Sequence, residues 1–65
     1  MKLSVNGEFR EVNSATLDQW VVSEFSNIKG IAIAVNDSVV PSSKWVSHAL
    51  KAGDKILVVE AAQGG

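Results

Sequence analysis

The 65-residue chain closes on Ala61-Ala62-Gln63-Gly64-Gly65, and this end holds the residues best suited to chemistry. Neither Gly64 nor Gly65 has a Cβ, so the stretch can enter a channel too narrow for any side chain. It makes no strong part of a sheet and is expected to protrude and move. Its one reactive group is the terminal carboxylate of Gly65, ionised and a poor electrophile at neutral pH. Adenylation by ATP on a separate enzyme would turn it into a mixed anhydride open to a nucleophile. Glycine makes up about 7% of residues, which puts two at a terminus by chance in roughly one chain in 200. The pair therefore takes its meaning from what precedes it.

The other reactive side chains form no site. The chain has no cysteine, which removes disulfides, thiolate metal sites and thiol catalysis, and fits a cytoplasmic protein. His48 is the only histidine. One histidine leaves a zinc shell to be finished by carboxylates alone, and no metal is expected. Ser42, Ser43, Ser47, Asp37 and Asp54 could be enlisted around His48, but no nucleophile motif supports a triad, and a surface or half-buried histidine is expected. The glycines form no phosphate-cradling loop. Six basic and seven acidic residues are scattered to a net charge of -1. There is no basic patch for nucleic acid and no Lys/Arg helix face for a membrane surface. No apolar run approaches the roughly 20 residues that span a bilayer, and Met1-Lys2-Leu3-Ser4 turns polar too soon for a signal peptide. A single soluble domain without a bound cofactor is the expectation, its core built from a 46% hydrophobic sequence.

Lys2-Leu3-Ser4-Val5 alternates as a half-buried strand does. Asn6-Gly7 then supplies a type I′ hairpin turn, and Glu8-Phe9-Arg10-Glu11-Val12 returns. Thr16 with Gln19 matches a capping box, with Asp18 in the first turn. Leu17, Trp20, Val21, Phe25 and Ile28 share a helix face, and Lys29-Gly30 supplies a stop, predicting about three turns. Ile31-Ala32-Ile33-Ala34-Val35 alternates again, Asn36-Asp37-Ser38 turns, and Val39-Val40 reads as a short edge strand halted by Pro41. Residues 42–50 read as a short helical turn capped by Ser42 or Ser43, with Trp45, Val46, Ala49 and Leu50 inward. Ala52-Gly53-Asp54 is a turn, with Asp54 serving it. Lys55-Ile56-Leu57-Val58-Val59-Glu60 is the last strand, its four consecutive apolar residues predicting a central position with both faces at least partly covered, parallel to the first strand. Trp20 and Trp45 read as core anchors, Glu60 and Gln63 as exposed polar positions.

These elements predict an α+β fold of the β-grasp, ubiquitin-like kind, a mixed sheet of four or five strands packed on one main helix. The domain covers residues 1–60 and the tail 61–65. A single helix covers one sheet face. With Leu3, Val5, Ile33, Val35, Ile56 and Val58 turned toward it, Leu57 and Val59 point away beside Ala32 and Ala34. These four residues are the candidate docking surface for a partner, on the strand that leads into the tail.

Over essentially its whole length the chain resembles the small sulfur carriers of thiamine biosynthesis, the ThiS family. The resemblance rests on "VNG" at 5–7, "AVNDSVVPSSKW" at 34–45, "LKAGDKILVVEA" at 50–61 and the closing "QGG". Asn36, Pro41, Trp45, Gly53 and Asp54 stand where such carriers have those residue types, whereas Trp20 replaces a more usual aliphatic residue. The resemblance implies a carrier with no active site of its own. An E1-like adenylating enzyme would use ATP to activate Gly65, with Gly64 allowing passage of the tail. Sulfur from a cysteine desulfurase or sulfurtransferase relay would leave a C-terminal thiocarboxylate, which thiazole synthase would consume. Two relatives share the Gly-Gly end. The sulfur carrier of molybdopterin synthesis lacks the Pro41 to Trp45 pattern, and ubiquitin-type protein modifiers carry arginines where Ala61, Ala62 and Gln63 stand.

Overall fold

The computed structural model describes residues 1–25 and 30–60. The predicted helix positions Ile28 and Lys29, and the whole stretch 61–65, lie outside the described residues. Strands β1 (Lys2–Val5), β2 (Glu8–Glu11), β3 (Ile31–Val35), β4 (Ser38–Val40) and β5 (Lys55–Glu60) form one mixed sheet in the order β2-β1-β5-β3-β4. Helix α1 (Leu17–Glu24) and a 3₁₀ segment (Ser42–Ser47) complete the described elements. The α+β architecture and the central place of β5 match the sequence reading.

Two hairpins set the sheet's register. Asn6 and Gly7 have φ of 52° and 86°, the pair of positive values a type I′ turn demands, and they lock Val5 opposite Glu8. Asn36 and Asp37, at 51° and 71°, repeat the device and lock Val35 opposite Ser38. β5 then enters between the hairpins, parallel to β1 and antiparallel to β3.

Helix α1 starts as predicted. Thr16 is the N-cap, and its hydroxyl accepts the Gln19 N–H at 3.4 Å. The Gln19 side chain answers by accepting the Ala15 N–H, one residue further back than a capping box reaches. The helix is shorter than the apolar spacing suggested. Phe25 is already extended, at φ -123° and ψ 130°, so α1 spans about two turns and not three. Its inward residues, Leu17, Trp20 and Val21, are buried, and Phe25 packs edge-on against Trp20 with ring centroids 5.9 Å apart. The Arg10 guanidinium pairs with Glu24, joining β2 to the end of α1.

The 42–50 segment differs from expectation in two respects. Neither Ser42 nor Ser43 caps it; Pro41 occupies that position, and the Pro41 carbonyl accepts the Lys44 N–H. Trp45 and Leu50 are buried as predicted, but Val46 is 67% exposed and Ala49 is also exposed. A 3₁₀ turn has three residues, so one side chain per turn faces inward, and Trp45 is that one. Its indole N–H donates to the Val40 carbonyl at 2.8 Å. Residues 48–50 pair with the approach to α1: Leu17 N–H donates to the His48 carbonyl and Leu50 N–H to the Ala15 carbonyl. The segment is thus bound to the helix side of the sheet.

The core between these layers comprises Leu3, Val5, Val12, Leu17, Trp20, Val21, Ile33, Val35, Val40, Trp45, Leu50 and Ile56. No described helix is long and apolar enough to cross a membrane.

Candidate functional site

Everything expected of chemistry at Gly64 and Gly65 falls outside the described residues. The described structure holds the strand that delivers them, the face beside that strand, and the contacts that fix both.

β5 is anchored at its start by a polar cluster around the buried Asp54, a residue that sequence reasoning had reduced to a turn. Asp54 is only 5% exposed. One carboxylate oxygen accepts Asn36 Nδ2 at 3.0 Å and the other accepts the Lys51 N–H at 2.9 Å. Asn36 bonds Lys55 twice: its side-chain oxygen accepts the Lys55 N–H at 3.0 Å, and its own N–H donates to the Lys55 carbonyl at 2.8 Å. The Asp54 carbonyl accepts the Ser4 N–H, and the Lys2 carbonyl accepts the Gly53 N–H. This cluster welds the β3–β4 turn to the entry of β5 and sets the line along which the strand runs to Glu60. Asp54→Ala would remove the acceptor of the part-buried Asn36 amide and Lys51 N–H, costing about 1 kcal/mol. The melting temperature should fall by about 4–8 °C per kcal/mol for a domain of this size. Thermal unfolding followed by circular dichroism checks this, and a wild-type midpoint would show that the cluster is dispensable.

The exposed face is laid out by the register. Ala32 stands opposite Val59, Ala34 opposite Leu57, and Ala34 also opposite Val39. Directly opposed residues point to one side of a sheet, so these form adjacent rows. Val59 is 61% exposed and Leu57 39%; Ala32 is exposed and Ala34 half-buried. Their strand neighbours Ile33, Val35 and Ile56 are buried on the other side, as the alternation predicted. No described element covers the Leu57–Val59 face, since residues 42–50 pack on the helix side.

Two further residues belong to this face. Val39, 73% exposed, extends the Leu57–Ala34 row to the sheet edge. Phe9, 77% exposed, opposes Ser4 on the same side. The two-residue Asn6-Gly7 turn fixes the Ser4–Phe9 pairing, so the signal for Phe9 was available in the sequence. Lys55 borders the face and pairs with Asp37 at 3.0 Å. His48 is half-buried beside the start of α1, away from this face; its main chain donates to the Trp45 carbonyl and accepts from the Leu17 N–H. No group of three His, Cys, Asp or Glu among the described residues is placed to hold a metal.

Comparison with known proteins agrees with this arrangement. The sequence profile of the ThiS family matches residues 3–65. The sulfur carrier protein ThiS of Escherichia coli K12 is 39% identical over 36 residues, which is 55% of this chain and 54% of that protein. The aligned part is thus about half the length of that curated relative. The crystal structure of a thiamine biosynthesis protein (ThiS) from Geobacter metallireducens superposes with a TM-score of 0.85, covering all of both chains at 20% identity. A solution structure of a thiamine biosynthesis protein from the same organism gives 0.78, covering all of this chain and 88% of that one, also at 20% identity. At that identity the likeness establishes the fold.

Proposed function

This chain belongs to the ThiS family, and from that premise we propose that it carries sulfur for thiazole formation in thiamine biosynthesis. The observation that carries the reading is the continuity of the central strand with the diglycine: β5 ends at Glu60, and five residues later stands Gly65.

In this reading the Gly65 carboxylate attacks the α-phosphorus of ATP on an adenylating enzyme, expelling pyrophosphate. The terminal sulfur of a persulfide from a desulfurase or sulfurtransferase relay adds to the acyl carbon and expels AMP. A thiol then cleaves the resulting acyl disulfide, forming a disulfide with the relay sulfur and leaving the thiocarboxylate. The thiocarboxylate then gives up its sulfur on thiazole synthase, and the carrier returns as the carboxylate. The chain supplies no catalytic group; it is the substrate of each enzyme in turn. A cytoplasmic location, with ATP and the sulfur relay at hand, fits this reading.

Reach makes the docking face matter. Five extended residues span at most about 17 Å, so an enzyme holding Gly65 must lie close to the end of β5. Leu57, Val59, Ala32 and Ala34 lie on that strand and its neighbour, and an apolar partner surface seated on them would hold the tail at its channel. Gly64 lets the backbone pass where a side chain would collide.

Intact mass after incubation with ATP, the cognate adenylating enzyme and a sulfur donor tests the proposal. The expected product is heavier by the difference between sulfur and oxygen, with the change localised to Gly65. An unchanged mass overturns the reading, and conjugates joined to lysines of other proteins would instead identify a protein modifier.

A further inference from the structure

The pairing of β5 is lopsided toward its C-terminal end. β3 accompanies it as far as Glu60, which stands opposite Ile31. β1 stops earlier, with Val5 opposite Ile56, because the chain turns away at Asn6-Gly7. Main-chain groups along a strand point alternately to its two neighbours. The Lys55 carbonyl accepts Asn36 N–H on the β3 side, and the Ile56 carbonyl accepts Asn6 N–H on the β1 side. The groups of residues 56, 58 and 60 therefore all face the β1 edge. Just past the end of β1, Asn6 Oδ1 accepts the Val58 N–H at 2.8 Å, standing in for the next strand carbonyl.

The following two groups on that edge, the Val58 carbonyl and the Glu60 N–H, have no partner among the described residues. They are the two groups with which one residue of a parallel strand would exchange bonds, as Asn6 does with Ile56 and Val58 one step earlier. At Gly7, where the chain turns away from β5, nothing lies within 4 Å of where a Cβ would stand.

We infer that this notch receives an extended segment of the adenylating enzyme, laid parallel to β5 as the continuation of β1. The identity of the partner rests on the sulfur-carrier reading above; the notch itself rests on the register. The groups on offer are main-chain groups, so they fit a backbone and not a side chain or a small ligand. A strand seated there would adjoin Leu57 and Val59, extending the apolar docking face by one strand. It would also grip the last residues before 61–65 and aim the tail along the direction of β5. In water, solvent satisfies the Val58 and Glu60 groups; once an enzyme excludes that water, a strand must replace it.

The experiment uses the full 65-residue chain and its cognate adenylating enzyme, with ATP-dependent pyrophosphate exchange by the wild type as reference. Hydrogen exchange by NMR is followed at Glu60 and Val59 in the free and bound carrier. The Glu60 amide should exchange readily when free and slow by about tenfold or more in the complex, while Val59, facing β3, is protected in both. In a chemically synthesised carrier, replacing the Val59–Glu60 amide by an ester removes the Glu60 N–H donor and weakens the Val59 carbonyl as an acceptor toward β3. It should lower the melting temperature only slightly and weaken enzyme binding about fivefold, the worth of one hydrogen bond. The matching ester at Leu57–Val58 weakens a β3-facing carbonyl in the same way and also removes the donor to Asn6, so it should lower the melting temperature further. Unprotected Glu60 in an active complex, or wild-type affinity for the Val59–Glu60 ester, overturns the strand-addition inference and leaves the sulfur-carrier reading standing. Absence of pyrophosphate exchange by the wild type overturns the carrier reading, and this inference with it.

Discussion

Deletion of Gly65 is expected to lower kcat/KM for ATP-dependent pyrophosphate exchange by at least about 100-fold, with the melting temperature unchanged. The truncated chain still ends in a glycine carboxylate, but that carboxylate stands one residue short, about 3.3–3.6 Å back along the tail. A misplacement of about 1 Å in a reacting group can cost 100-fold, and this displacement is several times larger. Stability should not follow, because the core that holds the domain is drawn from Leu3 through Ile56. Gly64→Val is the complementary change: it keeps the length and adds branched bulk where the tail must pass, so it should also abolish exchange. The measurement is isotope exchange from labelled pyrophosphate into ATP, paired with thermal unfolding of each variant. A truncated chain that exchanges as fast as the wild type would show that Gly65 is not the charged residue.

The strongest local signals in the sequence were conformational ones, and they read through to the structure. Asn6-Gly7 and Asn36-Asp37 announced their turns because few residue types accept consecutive positive φ, and each turn then set a register. The unbroken apolar run Ile56 to Val59 pointed to the central place that β5 occupies, but the cover it implied on both faces is found only on the helix side, where Ile56 is buried while Leu57 and Val59 stay exposed. From those registers the Leu57–Val59 face follows by alternation. What the sequence concealed was cooperative. Asp54 looked like turn chemistry because its partners Asn36 and Lys51 come from different points in the chain, and a hydrogen-bond cluster has no periodicity to detect. The length of α1 was overestimated because apolar spacing continues to Phe25 while the backbone has already become extended there. Val46 was placed inward by counting on an α-helical turn, and the tighter 3₁₀ turn rotates it out to solvent. The missing strand neighbour beyond Val5 was equally hidden, since it depends on two strands of unequal length being brought side by side.

Adjacent residues on β5 should separate folding from docking. Ile56 is fully buried, and Ile56→Ala would leave a cavity at the centre of the sheet costing about 2–5 kcal/mol. Domains of this length have total stabilities of about 3–10 kcal/mol, so the change should remove much of it and lower the melting temperature by about 10 °C or more. Leu57 lies one residue on, on the opposite face and 39% exposed. Leu57→Asp should cost about 1 kcal/mol in strand packing while placing a charge at the middle of the proposed interface. An unpaired charge at the centre of an apolar contact weakens binding by about 2 kcal/mol or more, which is roughly 30-fold in Kd. Calorimetric titration of the adenylating enzyme at a temperature where both variants are folded distinguishes the two effects. Ile56→Ala should then bind close to wild type, because its side chain touches only the core, while Leu57→Asp should bind weakly despite its intact fold. If Leu57→Asp bound as the wild type does, the exposed face would have no part in docking, and the tail together with the β5 edge would have to supply the whole of the affinity.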